Sequence, residues 1–125
     1  MKVEGEAFRF QTIPSILEET VYNLVDNAIK YNHQLGSVNI RIFREKDRFG
    51  LSVSDTGIGI PEIHQERIFE RFYRVDKGRS RKMGGTGLGL SIVKHIVEMY
   101  GGDIMITSEV GIGTEFIIRL PYTRE

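Results

Sequence analysis

Residues 15–31 constrain the fold of this chain more than any other stretch. Ser15 and Glu18 stand at capping-box spacing behind Pro14, and Leu17, Val21, Leu24, Val25 and Ala28 recur at helical period. The pattern predicts an amphipathic helix whose apolar side has to be covered by another layer of structure. At ~100° per residue, Glu19, Asn23, Asn27 and Lys30 fall within about 40° of one direction, opposite the apolar set. Asparagine is a mediocre helix former, and here it is placed twice in mid-helix where Glu or Lys would cost less.

The rest of the chain supplies the covering layer. Residues 38–43 and 50–54 alternate as strands, and the charged residues 44–48 between them suit a hairpin turn, so the two should pair antiparallel. Residues 61–70 suit a short helix, whereas 75–87 have no periodicity and are rich in glycine and charge, as in a mobile loop. Helical period returns over 88–100 with Val93, Ile96, Val97 and Tyr100, and Gly101-Gly102 supplies the stop. Two further strands, 104–108 and 114–120, flank a turn at 110–113. Helix, hairpin, loop, helix, hairpin describes an α+β sandwich with helices on one face of a mainly antiparallel sheet.

With 125 residues, 40% of them hydrophobic, there is enough chain for one core and too little for two domains. No run reaches the ~18 apolar residues of a membrane span, and Met1-Lys2-Val3-Glu4 does not open a signal peptide, so a soluble domain is expected. The lack of cysteine removes disulfide scaffolds and thiolate metal sites and fits a reducing cytoplasm. Seventeen basic residues balance seventeen acidic ones, which gives no general pull toward nucleic acid or anionic lipid. Charge is nevertheless uneven. Between His64 and Lys82, Arg67, Arg71, Arg74, Lys77, Arg79, Arg81 and Lys82 face only Glu66, Glu70 and Asp76. That cluster suits a local anion better than DNA, although taken alone it more often means a solvated surface.

Three groups of residues bear on chemistry. Asp55-Thr56-Gly57-Ile58-Gly59-Ile60-Pro61 follows a strand, where an aspartate can accept from an exocyclic amine and glycines let the backbone approach a flat ring. An ordinary Asp-Gly turn has the same look. Gly84-Gly85-Thr86-Gly87-Leu88-Gly89-Leu90 runs into a helix whose free N–H groups can bind phosphate. It lacks the Gly-Lys-Ser/Thr ending of a Walker loop, and Leu90 replaces the last glycine of a dinucleotide fingerprint. Asn23 and Asn27, one turn apart, offer neutral amide oxygens to a hard cation such as Mg²⁺, and Lys30 on the same face can meet a phosphate. A solvated helix face is the competing account of that pair.

Together and in order, these blocks resemble sensor histidine kinases. Residues 23–31 resemble their asparagine box, 55–60 their first glycine box, 69–74 (Phe-Glu-Arg-Phe-Tyr-Arg) their phenylalanine box and 85–90 their second glycine box, with Gly111-Ile112-Gly113-Thr114 at the last turn. The resemblance spans about residues 14–120. It implies the Bergerat-type two-layer fold shared with gyrase and Hsp90, a mixed, mainly antiparallel sheet with helices on one face and a flexible ATP lid. By position, Asp55 would bind the adenine amino group, Gly57 and Gly59 would shape its pocket together with Ile60, Tyr31 would pack near the ring, and Thr114 would form the floor. Asn27 would hold Mg²⁺ with Asn23 assisting. Lys30, Arg74 and one of Arg79, Arg81 or Lys82 would meet the phosphates beside Tyr73, and Gly85, Thr86, Gly87, Leu88, Gly89 and Leu90 would close over them.

The resemblance also separates branches. Hydrolysing relatives place a glutamate one turn before the metal asparagine, and that position here is Asn23, so the base for hydrolysis is missing. Glu19 lies a further turn back, about 6 Å along the helix. Transfer to a protein acceptor is the expectation. His33, His64 and His95 lack the family's acceptor context and are expected to be surface or packing residues. The acceptor is then a histidine on the dimerisation domain of a longer kinase, from which Met1 begins an excised piece. The expected parent is a membrane-anchored homodimer with this domain in the cytoplasm, monomeric when isolated, served by a response regulator and binding no nucleic acid. Ile13 departs from the aspartate frequent before Pro14, outside the ATP chemistry. A regulatory nucleotide-binding module without transfer, and an anti-sigma-type serine kinase, are the alternatives.

Overall fold

The computed structural model describes residues 2–5, 14–73 and 89–121, with the side chains of 2–5 and 14–17 left aside. Its elements in chain order are β1 (Lys2–Gly5), α1 (Pro14–Lys30), β2 (Val38–Glu45), β3 (Arg48–Asp55), α2 (Glu62–Gln65), α3 (Gly89–Met99), β4 (Asp103–Glu109) and β5 (Gly113–Pro121). The strands form one sheet in the order β1-β2-β3-β5-β4. All neighbours are antiparallel except β1, which pairs parallel with β2, Lys2 opposite Asn39.

Strand alternation decides which residues meet the helices. Val38 and Ile40 of β2, Phe49, Leu51 and Val53 of β3, and Phe116, Ile118 and Leu120 of β5 share the buried face. Leu24 and Ala28 of α1 and Val93 and Val97 of α3 cover them, and Ile104 and Ile106 of β4 pack at the margin. Phe116, Leu24, Ile118, Val53, Val93 and Val97 are fully buried. Removing each such side chain from water contributes about 1.5–3 kcal/mol, which makes the α1–α3 layer inseparable from the sheet. The expected α+β sandwich, helices on one face of a mainly antiparallel sheet, is the observed architecture.

Among the described residues no helix packs on the opposite face. Phe43 lies across Gly50, its directly paired neighbour, where a Cβ would come within 2.1 Å of the ring. Arg41 and Arg119 stack on that ring at 5.2 and 5.8 Å, Arg119 pairs with Glu45, and Ser52 donates to Glu115. These contacts dress a wet sheet face without building a second core.

Some boundaries differ from expectation. The β2–β3 turn narrows to Lys46-Asp47, because both strands keep pairing through Glu45 and Arg48. The helix expected over 61–70 stops at Gln65, and consecutive turns follow: Arg67 and Ile68 N–H both donate to His64 O, Glu70 to Arg67 O, and Tyr73 to Glu70 O. That winding turns Ile68 and Phe69 into the core and leaves Phe72 exposed at φ 66°. α3 ends as expected. Gly101 at φ 75° lets Gly102 N–H reach Val97 O while its own N–H reaches Glu98 O, a Schellman closure. The expected loop over 75–87 and its lid role lie outside the described residues.

Candidate functional site

Asp55 is the last residue of β3, opposite Val38 on one side and Thr114 on the other, so two flanking strands fix it at one end of the sheet. The chain then turns back against the end of α1. Ile58 N–H donates to Tyr31 O at 3.1 Å, and a Cβ on Gly57 would lie 2.2 Å from that oxygen, so only glycine passes there. Thr56 ties in the segment after α1: its Oγ1 accepts from Ser37 N–H at 2.8 Å, and its N–H reaches Ser37 O at 3.2 Å.

The Asp55 carboxylate is held asymmetrically. Gly57 N–H donates to Oδ1 at 2.8 Å and Thr114 N–H to the same oxygen at 3.3 Å, while Oδ2 has no partner among the described residues. Burial lifts the Asp55 pKa above the ordinary carboxylate value, and the hydrogen bonds from Gly57 and Thr114 pull it partway back. No described cation pairs with it. A half-buried carboxylate with one committed and one open oxygen is suited to accept from an uncharged donor.

The β4–β5 turn closes the other side. Gly59 adopts φ 74° with its missing Cβ 2.2 Å from Glu109 O, and Gly113 adopts φ 149° with its missing Cβ 2.0 Å from Asp55 O. Gly111 N–H donates to Ile58 O at 2.9 Å. Ser108 of β4 links the two loops. Its Oγ accepts from Ile60 N–H at 2.7 Å and lies 3.1 Å from Gly113 O and 2.8 Å from Thr114 Oγ1. Gln65 of α2 adds bonds from Nε2 to Ile60 O at 2.9 Å and to Ser108 O at 3.3 Å. Sequence reasoning named neither Ser108 nor Gln65. The available signal for Ser108 was a hydroxyl at an inward position of β4, in register with Ile104 and Ile106.

The α1 stripe lies beside this end. Asn23 and Asn27 are half-buried, and among the described residues neither side-chain amide has a hydrogen-bond partner. Glu19, a turn earlier, is exposed. Lys30 is held by Asp26 at 3.0 Å, with both side chains about a third exposed, so a phosphate would have to compete with that ion pair. Asn23 Oδ1 lies 3.4 Å from the position of a Cβ on Gly89, which brings the first residue of α3 against the asparagine stripe. The start of α3 therefore lies against the Asn23 amide, the first of the two asparagines of the stripe. Leu90 and Ile60 pack partly into the core.

Tyr73 is tied to α2: its hydroxyl hydrogen-bonds His64 Nδ1, and Arg67 covers its ring at 4.6 Å. His33 and His95 are exposed. Arg74, Arg79, Arg81, Lys82, Gly85, Thr86, Gly87 and Leu88 lie outside the described residues. The structure thus gathers Tyr31, Asp55, Gly57, Gly59, Ile60 and Thr114 at one end of the sheet, and brings Asn23 of the α1 stripe to Gly89 of α3. Among the described residues no helix is long and apolar enough to cross a membrane.

Residues 12–124 match the family described as histidine kinase-, DNA gyrase B- and HSP90-like ATPases. The circadian input-output histidine kinase CikA of Synechococcus elongatus is 45% identical over 112 residues, 90% of this chain and 15% of that protein. Among solved structures, a mycobacterial sensor histidine kinase, MprB, superimposes with a TM-score of 0.84 at 30% identity, covering 99% of this chain and 82% of that one. Full-length ShkA in complex with AMPPNP gives a TM-score of 0.84 at 27% identity over 99% of this chain and 26% of that one. The chain spans 15–28% of the length of the curated relatives it matches.

Proposed function

Because this chain belongs to the histidine kinase-, DNA gyrase B- and HSP90-like ATPase family, as a histidine kinase catalytic domain, we propose that it binds Mg-ATP and donates the γ-phosphoryl group to a histidine on the dimerisation domain of a longer sensor kinase. The observation that carries this reading is the Asp55 carboxylate. Its Oδ1 is committed to two backbone N–H groups and its Oδ2 is open, at the mouth formed by Gly57, Gly59 and Thr114. An open acceptor beside glycine backbone suits the amino edge of adenine. The AMPPNP bound by ShkA is consistent with an adenine nucleotide here.

The triphosphate then points along α1 toward the start of α3. Lys30, Arg74 and the glycine-rich residues 85–90 meet the phosphates, and the α3 N–H groups add neutral donors. Asn27, assisted by Asn23, fits a hard cation: two half-buried amide oxygens one turn apart, unengaged among the described residues. Held by Asn27 and Asn23, Mg²⁺ would supply positive charge that offsets the charge developing during transfer. A metal role for the amide predicts that Asn27→Ala weakens ATP binding in magnesium buffer and changes little in EDTA. Equal loss in both buffers would count against it.

Asn23 stands where a hydrolytic base would be needed, and an amide takes up no proton near neutral pH. Glu19 is exposed a turn away. Transfer to an acceptor brought from outside fits that donor set better than hydrolysis. We place the acceptor on the parent's dimerisation domain, the parent in a membrane-anchored homodimer with this domain on the cytoplasmic side, and a response regulator downstream in two-component signalling. The test is to mix the chain with such an acceptor domain and γ-labelled ATP. An alkali-stable, acid-labile phosphoprotein is expected. ATP binding without transfer would leave a regulatory module instead, and an acid-stable product would mean a serine kinase.

A further inference from the structure

We propose that Ser108 is a specificity-determining positioning residue, which fixes the polarity of the Thr114 hydroxyl so that the pocket accepts a 6-amino purine and rejects a 6-oxo purine. The inference rests on the reading of Asp55 as the adenine acceptor and extends it to a residue beyond the asparagine and glycine blocks.

A hydroxyl has one proton to give and two lone pairs to fill. Ser108 Oγ faces three neighbours. Ile60 N–H at 2.7 Å can only donate, Gly113 O at 3.1 Å can only accept, and Thr114 Oγ1 at 2.8 Å can do either. One arrangement satisfies all three: Ser108 donates to Gly113 O and accepts from both Ile60 and Thr114. The Thr114 proton is then spent on Ser108. The rival arrangement gives up the Ser108 donation to Gly113 O, where Gly113 and Thr114 are both buried, and is disfavoured accordingly.

The consequence falls on the ligand side. Thr114 and Asp55 are directly opposed in the β3–β5 register, so their side chains share one face, and the Thr114 N–H sits on the Asp55 carboxylate. With its proton committed to Ser108, Thr114 Oγ1 has only lone pairs to offer on the face of the sheet that it shares with the Asp55 carboxylate. Two acceptors side by side match the two hydrogens of an exocyclic amine, taken directly or through a water that donates to both. A 6-oxo group would bring a third acceptor into the same place, with no proton to share. Gln65 braces the arrangement by holding Ile60 O and Ser108 O.

The test is a set of affinity titrations with ATP and GTP on the whole chain. Ser108→Ala frees the Thr114 proton to turn into the pocket, and the ATP:GTP affinity ratio is expected to fall about tenfold. Ser108→Thr keeps the hydroxyl and should keep the ratio. Thr114→Val, close to isosteric, should lower the ratio by itself, and adding Ser108→Ala to it should change the ratio no further. Equal weakening toward both nucleotides in Ser108→Ala would reduce Ser108 to a structural prop and overturn the inference. So would an unchanged ratio in Thr114→Val, or a Ser108→Ala effect that persists undiminished in its background. Asp55→Asn separates the two levels. If it spares ATP binding, the adenine reading itself fails, whereas loss of ATP binding beside an unmoved Ser108→Ala ratio sinks this inference alone.

Discussion

Two aspartates mark opposite ends of the sheet, and they are held by opposite means. Asp103, at the start of β4, is half-exposed and paired with the guanidinium of Arg48 across the end of β5. Asp55, at the far end of β3, has no described cation beside it and receives two backbone N–H groups on one oxygen. The first carboxylate is neutralised by the fold and offers little to a ligand. The second is left partly desolvated with an acceptor to spare, a cost the fold bears without return until something donates to it. The surrounding backbone differs in the same sense. At the Asp55 end three glycines, Gly57, Gly59 and Gly113, lie where a Cβ would meet carbonyl oxygen at 2.0–2.2 Å, whereas at the Asp103 end Gly102 alone does so, at 2.2 Å from Arg119 O, beside the Arg48–Asp103 side-chain pair.

Substitutions that break the backbone of the Asp55 end should have the largest effect. Gly113→Ala puts a Cβ against Asp55 O at a φ that side chains rarely adopt, and a loss of about 2–3 kcal/mol is expected in urea unfolding. Gly111→Ala, in the same turn with open space around it, should cost only about 1 kcal/mol. Equal losses would show that φ strain, and not the close approach, governs this turn.

Next comes the carboxylate itself. Asp55→Asn keeps an oxygen for Gly57 and Thr114 but replaces the open acceptor, and ATP affinity should fall about 10- to 100-fold in titration calorimetry. The melting temperature at pH 7 should not fall with it. A parallel fall in both would make Asp55 a structural residue like its counterpart.

Acidification should separate the ends further. Since the Asp55 pKa is raised in the fold, protonation begins at a higher pH than for an ordinary aspartate, and ATP affinity should decline from there downward. Stability has the opposite sign. The native state binds the proton more tightly than the unfolded chain, so Asp55 contributes stability below its unfolded pKa and loses that contribution as pH rises through its folded one. Stepped-pH titrations and melts of the parent and Asp55→Asn proteins would read both trends, and the variant should lack the Asp55 component of each. The smallest change is expected at the other end: Asp103→Asn should cost under about 1 kcal/mol, less in high salt, with ATP affinity unmoved.

Much of this was legible from local pattern. The two long helices, both hairpins and the Asp55 turn follow from periodicities and breakers that act within a few residues, and their observed boundaries lie within a few positions of expectation. β1 was not legible: Lys2-Val3-Glu4-Gly5 has no turn signal and too little alternation, and it becomes a strand only by adding to the free edge of β2. The shortened α2 was not legible either, since the pull of the core on Ile68 and Phe69 outweighs a continuous helical ladder. Nor were the Asp26–Lys30 pair at the phosphate end of the stripe and the His64–Tyr73 bond. Those depend on which of several reachable partners a side chain finds.

By itself the sequence determined the layers and the inventory of the site: the asparagine stripe, the aspartate with its glycines, and a glycine-rich entry to α3. Local periodicity and backbone permissiveness suffice for that, because they are properties of neighbouring residues. Only the tertiary structure decided how those groups are poised. That Asp55 keeps one oxygen open, that Ser108 stands between Ile60 and Thr114, and that Asn23 faces Gly89 depend on segments 48 or more residues apart coming into contact. Hydrogen-bond direction and desolvation act over a few ångströms in space, and no spacing along the chain encodes them.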